Sequence, residues 1–476
     1  MMSLLLMPEI ILSIGLMFVI VIDLYLQKNK FYSYLLIQLL LILAAYCSIN
    51  YSTYINYDAY ESSRFINLLK FILLVFSIIV FHYSYKHLAY IKTLKIEYFT
   101  ISILGIIGTM VMISAYSLLM LYLGIELLSL ALYALIGFNK KSGLSSEAAI
   151  KYYVLGAMSS GILLFGISLI YGFTGSINYF EIANQLNSMN NTSIEYLGVT
   201  FGIMFITASL CFKFGAAPFH MWVPDIYQGS LISTTALLST VPKIAVFIVF
   251  LKLYYIPFLE LEYIWSDILI FVGVLSIIIG SIFALTQENI KRLLAYSAIS
   301  NIGFILLSLG LVSDGGIQAS LYYTIVYSFT ALASFGVITH ITSNSAGVEN
   351  ISDIAGLSKN HPYYAILILF TMLSSAGIPP FIGFHAKLIV IQTLVNQSLV
   401  FLSVIVVLMT VISAYYYLKV IKSIYFEERV NLIATYSKNN IILSINVLLL
   451  LGLGIFPYLI FDLSQYLTSI LSVISI

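Results

Sequence analysis

The feature that most constrains this chain is a succession of apolar runs, each about 20 residues long and nearly free of charge, repeated from end to end. In lipid only helices and closed barrels satisfy their own backbone, and runs of this length suit helices. By that measure spans fall near residues 3–26, 31–49, 66–86, 97–115, 116–138, 150–173, 197–223, 229–256, 264–285, 293–313, 316–342, 361–383, 398–422 and 439–464. The chain therefore reads as an all-α integral membrane protein of about fourteen transmembrane helices. Ser114, Tyr116 and Ser117 mark a tight turn between the fourth and fifth spans. The first run is longer than a signal-peptide core and lacks a basic start, so it reads as a true span carrying Glu9 and Asp23.

Composition supports this. Of 476 residues, 61% are hydrophobic and 9% charged, against about 25% charged in soluble domains. The net charge of +1 gives no reason to expect nucleic acid. Cys47 and Cys211 lie far apart in apolar runs and suit neither a disulfide scaffold nor a metal or iron–sulfur site. No glycine-rich nucleotide motif is present.

Loop charges give an independent check on the count. Loops after odd-numbered spans hold Lys28, Lys30, Lys92, Lys95, Lys140, Lys141, Lys291, Arg292, Lys359, Arg429 and Lys438. Loops after even-numbered spans hold Arg64 alone, and collect Asp58, Glu61, Glu181, Glu195, Glu260, Glu262 and Asp314. The positive-inside rule then puts both termini on the outer side, intermembrane space or periplasm. Lys252, near the outer end of the eighth span, departs from the pattern. Residues 175–187 read as a short amphipathic surface helix and 343–360 as a polar inner loop.

Ionisable residues inside a bilayer cost about 3 kcal/mol or more, and those that persist are usually paired and functional. Glu126, Lys213, Lys243 and Lys387 stand within apolar sequence, and Lys151 near the start of the sixth span is a fifth. Burial disfavours the charged form of a lysine and a nearby carboxylate restores it, so such a pair can load and release a proton. Glu126 is the natural partner of Lys213 or Lys151. Lys70 and Lys419 lie nearer span ends and read as snorkelling to the headgroups. Glu9 and Asp23 could pair with a neighbouring subunit or be structural.

Two spans are interrupted at matching places. Gly215 and Pro218 follow Lys213 in the seventh, and Gly377, Pro379, Pro380 and Gly383 precede Lys387 in the twelfth. Proline removes a donor and clashes with the preceding turn, so both helices should break. Unwound backbone beside ionisable groups at membrane depth is a transporter signature. Pro218 and Pro379 are 161 residues apart, close to five spans. An odd-numbered repeat is inverted across the membrane, so spans 4–8 and 9–13 are expected to form two inverted five-helix halves. His220 and His385 stand beside the breaks, and a histidine there can relay protons or be structural. His220 is the stronger candidate relay.

At these motifs the chain resembles the antiporter-like membrane subunits of the proton-pumping NADH:quinone oxidoreductase, complex I. The stretches are YLGIELLSLALYALIGF (122–138), SSEAAIKYYVLGAMSSGILLFGISLIYG (145–172), FKFGAAPFHMWVPDIYQGS (212–230), QENIKRLLAYSAISNIGF (287–304) and AGIPPFIGFHAK (376–387). The first and third are most similar to the subunit 2 group. The resemblance implies that Glu126 pairs with Lys213, that Lys151 modulates the pair, that Lys243 lies on a central hydrophilic axis, and that Lys387 connects to an outlet. His385 stands where the family leads one to expect an aromatic. It also implies fourteen helices in an N-terminal three-helix segment (1–96), a first antiporter-like half (97–256), a second inverted half (264–422), and a C-terminal helix and tail (439–476). No cofactor is expected in this chain, since NADH, FMN, iron–sulfur clusters and most of the ubiquinone site belong to other subunits. The implied partners are membrane subunits 4 and 4L and the lipid bilayer. A multisubunit sodium/proton antiporter subunit is the competing reading, and the wording of the fifth span favours complex I. Residues with AT-rich codons suit an organellar genome or an AT-rich bacterium, so the expected location is the mitochondrial inner membrane, with a bacterial plasma membrane as the alternative.

Overall fold

A computed structural model describes residues 7–25, 30–50, 55–57, 59–190, 193–344, 349–428 and 440–474. Of the loop charges above, Lys28, Asp58, Arg429 and Lys438 lie outside the described residues. Helices α1 (Met7–Tyr25) and α2 (Lys30–Asn50) lead through an antiparallel hairpin, β1 (Ile55–Tyr57) and β2 (Tyr60–Ser62), to α3 (Arg64–Tyr90). Then follow α4 (Ile96–Ser114), α5 (Leu118–Ile136), α6 (Gly143–Thr174), the surface helix α7 (Tyr179–Ser188), α8 (Ile194–Phe214), the short α9 (Trp222–Gly229) and α10 (Ile232–Tyr255). The chain continues through α11 (Glu262–Leu285), α12 (Ile290–Leu309), α13 (Asp314–Asn344), the one-turn α14 (Leu357–Asn360), α15 (Pro362–Ala376), α16 (Ile382–Asn396), α17 (Val400–Phe426), α18 (Ile441–Ile455) and α19 (Tyr458–Ile474).

Among the described residues twelve helices are long and apolar enough to cross a membrane, and α18 with Tyr458–Ile470, bent by 82°, makes a thirteenth. Helices α15 and α16 have 15 residues each, short for a span on their own. Joined across their break they supply the twelfth of the expected fourteen. The sequence placed that span at 361–383. Its first half instead stops at Ala376, and helix resumes at Ile382, so Lys387 sits inside the second half. The seventh span, expected at 197–223, is likewise α8 ending at Phe214 and then the short α9. The turn between the fourth and fifth spans is where Ser114, Tyr116 and Ser117 placed it. Ser117 caps α5 by accepting from Met120 N–H at 3.2 Å.

The described helices gather into two compact units. The first comprises Met1–Phe214, Thr240–Trp265 and Ile470–Ile476, the second Gly215–Ser239 and Ser266–Ser469. Lipid supplies no hydrophobic drive between helices, so polar contacts and close packing hold them. In the first unit Ser159 and Ser209 bond across α6 and α8 at 2.9 Å. Trp265 stacks on Tyr254 with centroids 4.7 Å apart and donates to the Phe258 carbonyl. In the second unit the buried Tyr417 bonds to Ser297, and Tyr323 donates to Asn301 at 2.9 Å.

Each break has the same local cause. Helix α8 stops at Gly215 (φ +80°) and α15 at Gly377 (φ +81°), left-handed conformations that glycine adopts without cost. The Ala217–Pro218 and Pro379–Pro380 peptide bonds follow, both cis. Proline cannot donate back into the helix, so the last carbonyls before each break have no partner within it.

Candidate functional site

In the first unit Lys243 stands on α10 immediately after Pro242 and is 2% exposed. Its ammonium donates to the Phe214 carbonyl at 2.5 Å and the Lys213 carbonyl at 3.5 Å. Those are the final carbonyls of α8, where the helix dipole places partial negative charge. In the second unit Lys387 does the same for the twelfth span. It is 7% exposed and donates to Ala376 O at 2.9 Å and Ser375 O at 3.0 Å. Both lysines therefore hold the oxygens freed by a broken helix. This arrangement was invisible in the sequence, which marks lysines and breaks but not which carbonyl a lysine reaches.

Lys213, on the last turn of α8, points elsewhere. Its ammonium donates to Ser129 Oγ at 2.8 Å and Ser160 Oγ at 3.4 Å. Ser129 lies three residues after Glu126 on α5, hence on the same face one turn along. Among the described residues no ion pair joins Glu126 to Lys213. Glu126 Oε1 is buried with no hydrogen-bond partner. The acid thus stands one helical turn from the serine that accepts from the Lys213 ammonium. Lys151 takes Glu147 as an ion-pair partner one turn back on α6, at 2.8 Å, with both side chains substantially exposed.

The two candidate histidines lie in the second unit, in or just beyond the breaks. His220 is buried and His385 is partly exposed, and each has a buried Nδ1 without a hydrogen-bond partner. Among the described residues no three His, Cys, Asp or Glu side chains come together as a metal site.

The family described as NADH:quinone oxidoreductase/Mrp antiporter, TM, matches residues 115–413, which include both breaks and all five candidate acids and lysines. NADH-quinone oxidoreductase subunit N of Ruthia magnifica subsp. Calyptogena magnifica is 41% identical over 458 residues, 95% of each chain. The chain belongs to the NADH-quinone oxidoreductase subunit N family. The subunit N of Pelagibacter ubique (strain HTCC1062) is also 41% identical, over 89% of each chain. Among solved structures, a chain of respiratory complex I from Thermus thermophilus with bound aureothin shares the fold with a TM-score of 0.77 at 24% identity, covering 96% of this chain and 98% of that one. A chain of the Mrp complex from Dietzia sp. DQ12-45-1b has a TM-score of 0.84 at 18% identity, covering 98% and 97%. The antiporter-like membrane fold read from the broken spans is therefore the fold of the family.

Sequence reasoning missed a second set of buried charges in the first unit. Lys70, read as snorkelling, is 0% exposed, and its ammonium lies 2.6 Å from Glu9 Oε1. Its side chain, on α3, is fully buried, and Glu9 from α1 neutralises it there. Lys252, which departed from the loop-charge pattern, is 3% exposed and lies 2.9 Å from Glu61 Oε2. The partners come from sequence positions with no local relation to the lysines. The available signal was that the acids Glu9 and Glu61 and the lysines Lys70 and Lys252 all fall near span ends assigned to the same side.

Proposed function

We propose that this chain is a proton-translocating membrane-arm subunit of a respiratory NADH:quinone oxidoreductase. It is a non-redox subunit of that proton-pumping reductase, with NADH, FMN, the iron–sulfur clusters and ubiquinone held mainly by other subunits. The carrying observation is that each compact unit sets a buried lysine on two carbonyls released by a broken helix. An ammonium so held is stabilised by the carbonyls and destabilised by its lack of water, so small changes around it load or release its proton.

In the first unit Lys213 and Glu126 form the switch. With Lys213 on Ser129 the carboxylate is unpaired, and a one-turn swing of the flexible lysine brings the two together. Lys151 tunes this pair from α6, Lys243 and Lys387 carry the proton further, and His220 is a relay beside the first break. The segments 97–256 and 264–422 act as two inverted halves, preceded by the three-helix segment 1–96 and followed by 439–476. Membrane subunits 4 and 4L are the proposed neighbours. The bacterial relatives favour a bacterial plasma membrane over the mitochondrial inner membrane, with both termini outside.

The test uses the intact complex in membranes. Lys213→Ala and Glu126→Ala are each expected to lower proton-coupled quinone reduction by about 10- to 100-fold. Oxidation of NADH by an artificial acceptor should stay at the wild-type rate. Normal coupled activity in both variants overturns the assigned roles. A sodium/proton antiporter subunit would instead copurify without flavin or iron–sulfur clusters.

A further inference from the structure

The charges that sequence reasoning missed form one network within the first unit. Glu9 Oε1 accepts from Tyr60 Oη at 2.8 Å and lies 2.6 Å from Lys70 Nζ. Lys70 also donates to Tyr60 Oη at 2.8 Å, closing a triangle between α1, the hairpin and α3. The next residue on the hairpin, Glu61, pairs with Lys252 in the last turn of α10. Lys252 donates further to Ile113 O at 3.2 Å, in the last turn of α4, and to Ala115 O at 2.8 Å, just past its end. The Lys252 ammonium also lies over the Tyr116 ring, 5.9 Å from its centroid.

Two features set this apart from a pair that merely holds helices together. Lys252 rests on the carbonyls of a stopped helix, as Lys243 and Lys387 do, and is also paired with a carboxylate. Glu9 also keeps a buried Oε2 with no hydrogen-bond partner, a free acceptor beside a fully buried lysine. Burying four charges costs several kcal/mol each before pairing, and a well-packed apolar substitute often matches such a pair in stability. Stability is thus a weak reason for the network.

We propose that Glu61–Lys252, backed by Glu9–Tyr60–Lys70, is a further proton-exchange centre, the point at which protons leave the first unit at the far end of α10. It rests on the reading of the chain as a proton-translocating subunit. Between Lys243 and Lys252 helix α10 rises about 13 Å and carries only apolar side chains from Ile244 to Leu251. The centre is therefore separate from the one at the break. In the exchange, Lys252 Nζ gives a proton to Glu61 Oε2, one N–H bond breaking as one O–H bond forms. A neutral amine and a neutral acid remain, both tolerable without water. The acid releases its proton to water at the surface, and the amine takes the next proton from water in the interior.

Lys252→Arg tests this in the intact complex. Arginine keeps the charge, the ion pair and donors for both carbonyls, and does not give up its proton. The variant is expected to keep artificial-acceptor NADH oxidation while proton-coupled quinone reduction falls at least about fivefold. The double variant Glu61→Gln/Lys252→Met removes both charges together, leaves no buried charge alone, and should show the same loss. Wild-type proton translocation per NADH in Lys252→Arg overturns the proposal, and if the double variant does not assemble, Lys252→Arg decides. Lys213→Ala is measured alongside. If it is impaired while Lys252→Arg is normal, only this centre fails; if both are normal, the proton-carrying reading fails with it.

Discussion

Lys243→Arg is expected to lower proton-coupled quinone reduction by about 100-fold per assembled complex. The reason lies in the two jobs the ammonium does. It satisfies the Phe214 and Lys213 carbonyls at the end of α8, and in the proposed function it releases a proton. Arginine can serve the carbonyls, since it carries five donors, but its proton does not leave. Its extra bulk at a fully packed site costs about 1–3 kcal/mol, so some loss of assembled complex is expected. Lys243→Met is the complement. It fills similar volume, takes the lysine's donor away from both carbonyls at a buried site, and should lower assembly more than Lys243→Arg does. Activity normalised to artificial-acceptor NADH oxidation separates the two jobs. A Lys243→Arg complex that pumps at the wild-type rate would mean that capping α8 is the lysine's whole role.

Gly383→Ala is expected to abolish accumulation of the assembled subunit. Gly383 is the second residue of α16, immediately after the second break. A methyl group there would overlap the backbone carbonyl oxygen of Ser374 and stand 2.8 Å from its carbonyl carbon. Backbone cannot step aside as a flexible side chain can, so the cost is about 4 kcal/mol or more. Shifting α16 to relieve the overlap would carry Lys387 off the Ser375 and Ala376 carbonyls. Gly377→Ala meets a related obstacle. Its φ of +81° suits glycine, and the added carbon would lie 2.9 Å from Lys387 Cδ, a flexible stem that can yield. Its effect should be milder, and immunodetection of both variants in native membrane complexes gives the ranking. Wild-type abundance of Gly383→Ala would show that the break tolerates a different path.

Much of the architecture was legible because the bilayer imposes length. A run such as Leu118–Ile136 has to be a helix whatever surrounds it. The break after Lys213 was legible for a similar local reason, as Gly215 and Pro218 act on their own backbone. The end of the twelfth span was less so. A hydropathy count follows apolar residues straight through Ile378 and Phe381, whereas the helix stops at the left-handed Gly377 and restarts beyond the prolines.

The sequence by itself determined that this is a helical membrane protein, that its buried lysines and Glu126 are costly enough to need a role, and that two helices break beside them. Those conclusions depend on single residues and their near neighbours. Tertiary structure alone decided what each charge touches. Lys243 and Lys387 hold backbone oxygens, and every residue has such an oxygen, so nothing in the sequence marks the ones chosen. Lys70 meets Glu9 and Lys252 meets Glu61 only because α1, α3, the hairpin and α10 pack together. Burial can be inferred along the chain; the partner that makes burial tolerable is fixed by packing between segments remote in sequence.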